Sequence, residues 1–225
     1  LRTYLGLPTG LETGTFMALD FGGTNVRASR ITLSGADGFT IETKVSKPLR
    51  GDDYDYTTSS TTAEALFDFI ANIVKEAAGG NEAYKLGFTF SFAVDQTSAK
   101  DASLIAWSKE IDVPGVAGKS INGLLKEALV RNGMDRIEPV ALLNDTTATL
   151  LSSVYQRNPA QIGIVCGTGF NMCYYEPALK MIVNLEAAGF TGGPRTDWDR
   201  RVDEESQQPG DHCFEKMIGG RYLNE

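Results

Sequence analysis

The sequence predicts a mixed α/β protein with an internal duplication, on two observations. Two triplets of strand-like segments each open with an apolar run that ends in a glycine turn, once at Phe21-Gly22-Gly23 and again at Gly167-Thr168-Gly169. Segments of helical period follow the strands, which favours mixed α/β layering over an all-β or all-α fold.

The elements follow in order. Residues 16–21 (FMALDF) are apolar up to Asp20 and read as a buried strand feeding a tight turn. Residues 26–33 and 39–45 alternate polar and apolar, as two returning strands do, and the Ser-Gly-Ala-Asp-Gly at 34–38 between them is turn chemistry. Residues 47–60 are polar, contain Pro48 and Gly51, and read as a loop. Thr61 or Thr62 then caps a helix with Glu64 in its first turn. Leu66, Phe67, Ile70, Ile73 and Val74 recur at helical spacing, and Gly79-Gly80 ends the segment. Residues 85–94 read as one strand with Phe88, Phe90 and Phe92 on one face. A helix over 119–132 closes at Gly133, a buried strand covers 140–143, and a helix covers 146–156. A second unit starts near Asn144, with strands at 161–167, 171–176 and 180–185.

Composition narrows the function. Hydrophobic residues make up 42% of the 225, enough for a core, and the formal net charge of −8 argues against a nucleic-acid surface, which would carry a basic stripe. No run of about 18 apolar residues is present to span a membrane, and no signal peptide is visible. Cys166, Cys173 and Cys213 are an odd, dispersed set, which predicts a reducing, cytoplasmic setting rather than a disulfide framework. His212 is the one histidine, and its spacing to the cysteines does not make a zinc site. The chain opens on Leu1, so a preceding segment is expected.

Two glycine loops are candidates for phosphate binding. In Asp20-Phe21-Gly22-Gly23-Thr24-Asn25, glycines admit a close ligand, and backbone N–H groups with the Thr24 hydroxyl suit phosphate oxygens. Asp20 suits magnesium, directly or through water, and Arg27 adds a cation. An ordinary hairpin turn explains the same residues. Gly167-Thr168-Gly169 is a second such loop, and a nucleotide gripped from two sides needs two. Neither is a Walker A loop or a dinucleotide fingerprint, since no Gly-Lys-Ser/Thr and no GxGxxG is present. Asn144-Asp145 ends an apolar strand and starts a helix, which fits a general base or a helix cap. Asn144, Asp145, Asn171, Glu186 and Glu215 are the planar amides and carboxylates that bind sugar hydroxyls, although a solvated surface explains each Glu equally.

Taken together, six motifs in order resemble the hexokinase family. Leu19 through Asn25 is similar to LDLGGTN, and Phe90-Ser91-Phe92-Ala93-Val94-Asp95-Gln96 with Trp107-Ser108-Lys109 is similar to FSFPVxQ and WTK. Leu143-Asn144-Asp145-Thr146 is similar to LNDT, and Gly167 through Asn171 to GTGTN. Asn184-Leu185-Glu186 is similar to NTE, and Pro209-Gly210 with Phe214-Glu215-Lys216-Met217 to PGxxxFEKM. The resemblance covers essentially the whole chain. It implies an actin-like ATPase (ribonuclease H-like) fold of two lobes around a cleft, with residues 1–143 in the small lobe and 144–225 opening an incomplete large lobe. It implies transfer of the ATP γ-phosphoryl group to the 6-hydroxyl of glucose or a related hexose, with magnesium.

Carried over residue by residue, Asp145 is the general base and Lys109 balances developing charge. Ser91, Ser108, Lys109, Asn144, Asp145, Asn171, Glu186, His212 and Glu215 line the sugar. Asp20, Gly22, Gly23, Thr24, Asn25, Arg27, Gly167, Thr168 and Gly169 serve the nucleotide, with Asp20 on the metal. The sequence departs from the family at Ala93 (proline), Ser108 (threonine), Glu110-Ile111 (Gly-Phe), Ala187-Ala188 (aromatic-glycine) and His212 (glutamine). The family's adenosine-binding glycine motif has no counterpart before Glu225, so the chain reads as part of a longer kinase that is inactive by itself. A sugar sensor keeping the cleft without chemistry is the alternative, and an actin-like structural ATPase fits the Asn and Glu positions poorly.

Overall fold

The computed structural model describes residues 1–108, 111–206 and 208–223. The chain divides into two compact units, Pro8–Asp145 and a second made of Leu1–Leu7 with Thr146–Glu225.

The first unit is built on a five-stranded sheet, ordered β3-β2-β1-β4-β7. Strand β1 (Thr13–Phe21) turns back into β2 (Asn25–Ser34), which pairs antiparallel with β3 (Phe39–Pro48). Strand β4 (Tyr84–Phe90) lies parallel to β1, and β7 (Ile137–Leu143) lies parallel to β4. Helix α1 (Ala63–Ala78) starts where its sequence says it should. The Thr62 hydroxyl accepts the Ala65 N–H at 3.1 Å, and Gly79 closes the helix at φ 68°, a left-handed turn that glycine adopts without a Cβ clash. The apolar face of α1, with Leu66, Phe67, Ile70, Ile73 and Val74, is fully buried. Helix α2 (Ile121–Arg131) packs on α1 and β7 and is capped by Ser120, whose hydroxyl accepts the Gly123 N–H at 2.8 Å.

One expected strand is divided. The ladder partner of 85–94 changes after β4: Ser91 N–H still donates to Phe21 O at 3.2 Å, and the chain then forms β5 (Ala93–Gln96), which pairs with β6 (Ala102–Ala106) in a separate hairpin. Continuous alternation hides this break, because Phe92 stays in the same aromatic cluster as Phe21, Phe90 and Trp107. Side-chain period reports burial and is silent on which strand supplies the hydrogen bonds.

The second unit repeats the motif. Helix α3 (Asp145–Tyr155) leads to β8 (Ile162–Cys166), β9 (Phe170–Glu176) and β10 (Met181–Asn184), an antiparallel sheet ordered β10-β9-β8. Two short helices follow, α4 (Asp197–Glu205) and α5 (Cys213–Ile218). Residues 1–7 pack with the second unit. Arg2 bridges Val183, and Ile182 N–H donates to Leu5 O at 2.8 Å, so the segment adds to the outer edge of β10. That pairing spans almost the whole chain and leaves no local signature. Fully buried apolar residues of this unit's core are Leu150, Cys173 and Ile182, a far smaller set than in the first.

Candidate functional site

In the first unit, the parallel trio β1, β4 and β7 brings its carboxyl ends to one edge of the sheet. Ligands of open α/β sheets bind at that edge. Asp20 and the Gly22-Gly23-Thr24 turn stand at the end of β1, Ser91 follows β4, and Asn144-Asp145 follow β7. The sheet order therefore gathers three of the six motifs.

Around the turn, Gly22 N–H donates to Asn25 O at 3.1 Å and Leu49 N–H to Thr24 O at 2.9 Å. Thr24 is exposed, and Gly22 and Gly23 are not left-handed. The glycines thus supply open space rather than an unusual conformation. Asp20 and Arg27 face each other across β1 and β2, with Arg27 NH1 2.9 Å from Asp20 Oδ2 and both side chains more than a third exposed. Below this edge, Phe21, Phe90, Phe92 and Trp107 make edge-on ring contacts, including 5.2 Å between Phe21 and Phe92. Trp107 Nε1–H donates to Val113 O at 2.7 Å, which anchors the segment carrying exposed Ser108. Lys109, the expected charge-balancing residue, and Glu110 lie outside the described residues. Gln96 Nε2 donates to Leu142 O at 2.9 Å and ties the β5–β6 hairpin to the end of β7. Asp145 is the first residue of α3, where the helix dipole favours a carboxylate.

In the second unit, Gly167-Thr168-Gly169 is the β8–β9 turn, closed by Gly167 N–H to Gly169 O at 2.9 Å. Helix α5 and the residues after it fasten this loop. Glu215 Oε2 accepts Phe170 N–H at 2.7 Å, Gly220 N–H donates to Gly167 O at 2.8 Å, and Arg221 N–H to Thr168 O at 3.1 Å. A Cβ on Gly169 would meet Glu215 Oε2 at 2.5 Å, so the carboxylate occupies the space the glycine leaves.

Asn171 and Glu186 meet at Asn184 and also approach each other directly, Asn171 Nδ2 lying 3.5 Å from Glu186 Oε2. Asn171 Nδ2 donates to Asn184 Oδ1 at 3.0 Å, and Asn184 Nδ2 donates to Glu186 Oε1 at 2.7 Å. Asn171 Oδ1 accepts the N–H groups of Met172 at 2.7 Å and Ala187 at 3.1 Å. Glu186 is left-handed at φ 51°, a conformation that costs a non-glycine residue about 1–2 kcal/mol. The sequence places Asn184 and Gln96 within two of the family-like motifs but gives neither side chain a role. A polar amide ending the apolar run Met181-Ile182-Val183 was the available signal for the first.

Helix α5 has six residues, too few to hold itself. It is held by Asp203 of α4, whose Oδ1 lies 2.6 Å from Lys216 Nζ and whose Oδ2 lies 3.0 Å from Arg195 NH2. Gly210 N–H adds a third donor at 3.0 Å. The Lys216 hydrogen bond holds the Asp203 carboxyl well below the usual carboxylate range, against the opposing effect of burial, and Gly210 and Arg195 reinforce it. His212 precedes α5 at φ 49°, exposed, with Nδ1 2.8 Å from Asp211 Oδ2.

None of the three cysteines is in a disulfide. Among the described residues, no three His, Cys, Asp or Glu side chains group to hold a metal, and no helix is long and apolar enough to cross a membrane.

The paired strand–turn–strand meanders define the actin-like ATPase fold shared by sugar kinases. Two family models, each described as hexokinase, match residues 1–155 and 161–225, and the chain belongs to the hexokinase family. Hexokinase-1 of Schizosaccharomyces pombe is 39% identical over 98% of this chain and 49% of its own length. The chloroplastic hexokinase-2 of Nicotiana tabacum is 40% identical over 97% of this chain and 48% of its own. A solved hexokinase from Schistosoma mansoni, complexed with glucose, superposes with a TM-score of 0.83 at 31% identity, covering 99% of this chain and 53% of that one. The chain thus spans about half the length of the curated relatives it matches.

Proposed function

We propose that this chain supplies the hexose-binding and phosphate-binding half of an ATP-dependent hexose kinase. The observation that carries the reading is Asp145 at the carboxyl end of β7, on the same sheet edge as the Asp20–Thr24 turn and Ser91. That edge offers a base, a phosphate loop and a sugar contact from three parallel strands.

In this reading, Ser91, Ser108, Lys109, Asn144, Asn171, Glu186, His212 and Glu215 bind the hexose hydroxyls, which both donate and accept. Asp145 takes the proton of the 6-hydroxyl as that oxygen bonds to the γ-phosphorus of ATP. The bond from the γ-phosphorus to the β-bridging oxygen breaks, and ADP leaves. Lys109 balances the charge that develops. Gly22, Gly23, Thr24, Asn25 and Arg27, with Gly167, Thr168 and Gly169, receive the phosphates of magnesium-ATP. Asp20 is a fitting partner for that magnesium, because this ion is commonly held by one or two carboxylates plus substrate phosphates and water rather than by a protein cage. In the present structure that carboxylate pairs with Arg27 at 2.9 Å. Three dispersed cysteines with no disulfide between them support a reducing, cytoplasmic compartment.

Titration calorimetry of the intact protein with glucose, mannose and fructose tests the sugar site, and a coupled assay with magnesium-ATP tests transfer. Heat with a hexose and turnover with ATP are expected. Binding without turnover would favour a sugar sensor instead, and no binding of any hexose would defeat the reading.

A further inference from the structure

We propose that Asn184 is a positioning residue of the hexose site, holding the Glu186 carboxylate and the Asn171 amide in register with each other. The proposal rests on the reading above, in which Asn171 and Glu186 touch the sugar.

Asn184 is 6% exposed and joins the other two through both ends of its amide: its oxygen receives Asn171 Nδ2 at 3.0 Å, and its nitrogen reaches Glu186 Oε1 at 2.7 Å. The backbone beneath it is tied on both sides. Asn184 N–H donates to Leu1 O at 2.9 Å, and the next N–H, of Leu185, donates to Met172 O at 3.0 Å. The amide therefore projects from a strand that cannot swing. Two residues on, Glu186 sits in the left-handed region, where its own backbone is not at rest, so its carboxylate depends on outside partners for direction. A charge-assisted bond from a buried amide is such a partner. Asn171 is oriented from the same point, because the Asn184 oxygen can only receive its NH2 end, which turns Asn171 Oδ1 onto Met172 N–H and Ala187 N–H. One buried amide thus fixes two proposed sugar contacts that lie on different segments.

The sharpest test exchanges the donor for an acceptor at constant shape. Asn184→Asp keeps the bond from Asn171 and sets a second carboxylate against Glu186. Like-charged carboxylates at hydrogen-bond distance share a proton, and acid restores the missing donor. The other ionisable groups on the packed elements are Cys173, Tyr174, Tyr175 and Glu176 of β9, Cys213, Glu215 and Lys216 of α5, and Arg2 and the Leu1 amino group of the segment paired with β10, the last donating to the Asn184 backbone oxygen; all are present in wild type and variant alike. Glucose affinity of the intact protein is measured by calorimetry from about pH 5 to about pH 8. The expected result is a loss of about 10- to 100-fold in Asn184→Asp at the alkaline end, recovering toward wild type in acid. In steady-state assays, Asn184→Ala should raise the hexose KM about tenfold or more with the ATP KM little changed, independent of pH. This second variant carries the test if the first does not fold. A folded Asn184→Asp with the wild-type pH profile, or a folded Asn184→Ala with the wild-type hexose KM, overturns the proposal. Failure of the wild-type protein to bind any hexose would instead defeat the function proposed above.

Discussion

The β1–β2 turn and the β8–β9 turn are the same device in two settings. Each joins antiparallel strands through glycines and threonine at the head of a three-stranded meander. The first rests on a broad core with four aromatic rings close beneath it, and a Cβ on Gly22 would meet only Asn25 O, at an ordinary 3.6 Å. The second rests on Leu150, Cys173 and Ile182, and is strapped from outside by Glu215, Gly220 and Arg221. The comparison teaches that a phosphate-type loop can be stiffened by the core below it or by a clasp beside it. The clasp makes its own anchor, Asp203 with Lys216, part of what holds the loop.

The largest expected effect tests whether the first unit carries the chemistry. Asp145→Ala should lower turnover of the intact protein by about 10² to 10⁴. If Asp145 only stabilises the start of α3, the variant should instead lose about 1 kcal/mol of stability at normal turnover. Turnover measured beside a denaturant midpoint separates these.

The clasp comes next. Lys216→Met removes the buried cation from Asp203 Oδ1, leaving Arg195 and Gly210 on the carboxylate, and should cost about 1.5–3 kcal/mol in unfolding of the second unit. Acid probes the same pair. The folded Asp203 carboxyl lies below its ordinary value, so its contribution is fully present above about pH 3.9 and is lost as pH falls through the folded value. Wild type should therefore lose stability below about pH 4 more steeply than Asp203→Asn. Parallel acid unfolding curves would remove this pair from the account.

A matched glycine pair sharpens the contrast further. Gly169→Ala pushes the Glu215 carboxylate off Phe170 N–H and should cost about 1 kcal/mol, whereas Gly22→Ala meets ordinary contact and should unfold nearly as wild type does. Thermal unfolding of both variants checks the difference, and equal losses would mean the two loops are constrained alike. The smallest effect is a control within the first unit. Thr62→Ala removes the α1 cap and should cost about 1 kcal/mol by chemical denaturation, without changing hexose affinity.

Local chemistry made much of this protein legible before any coordinates. The α1 boundaries followed from Thr62 and Gly79, the meander strands from period-two alternation, and the duplication from two glycine turns after apolar runs. Helix α4 was missed because its nine residues are mostly charged, although the Thr196–Asp199 capping box marked its start. Helix α5 was missed because six residues cannot display a helical period.

What the sequence alone determined, then, is the set of elements with strong local periodicity and the residue types at the proposed site: Asp145, the two glycine loops, and the amides and carboxylates. What only the tertiary structure decided is pairing across distance. It put residues 1–7 on the edge of β10, set Arg27 against Asp20, laid Glu215 into the space at Gly169, and made Asn184 the link between Asn171 and Glu186. Periodicity and capping act within a few residues and leave a mark in sequence. A hydrogen bond between residues 13 positions apart on different strands, or a strand added from the far end of the chain, is selected by the packed sheet, and no local pattern encodes it.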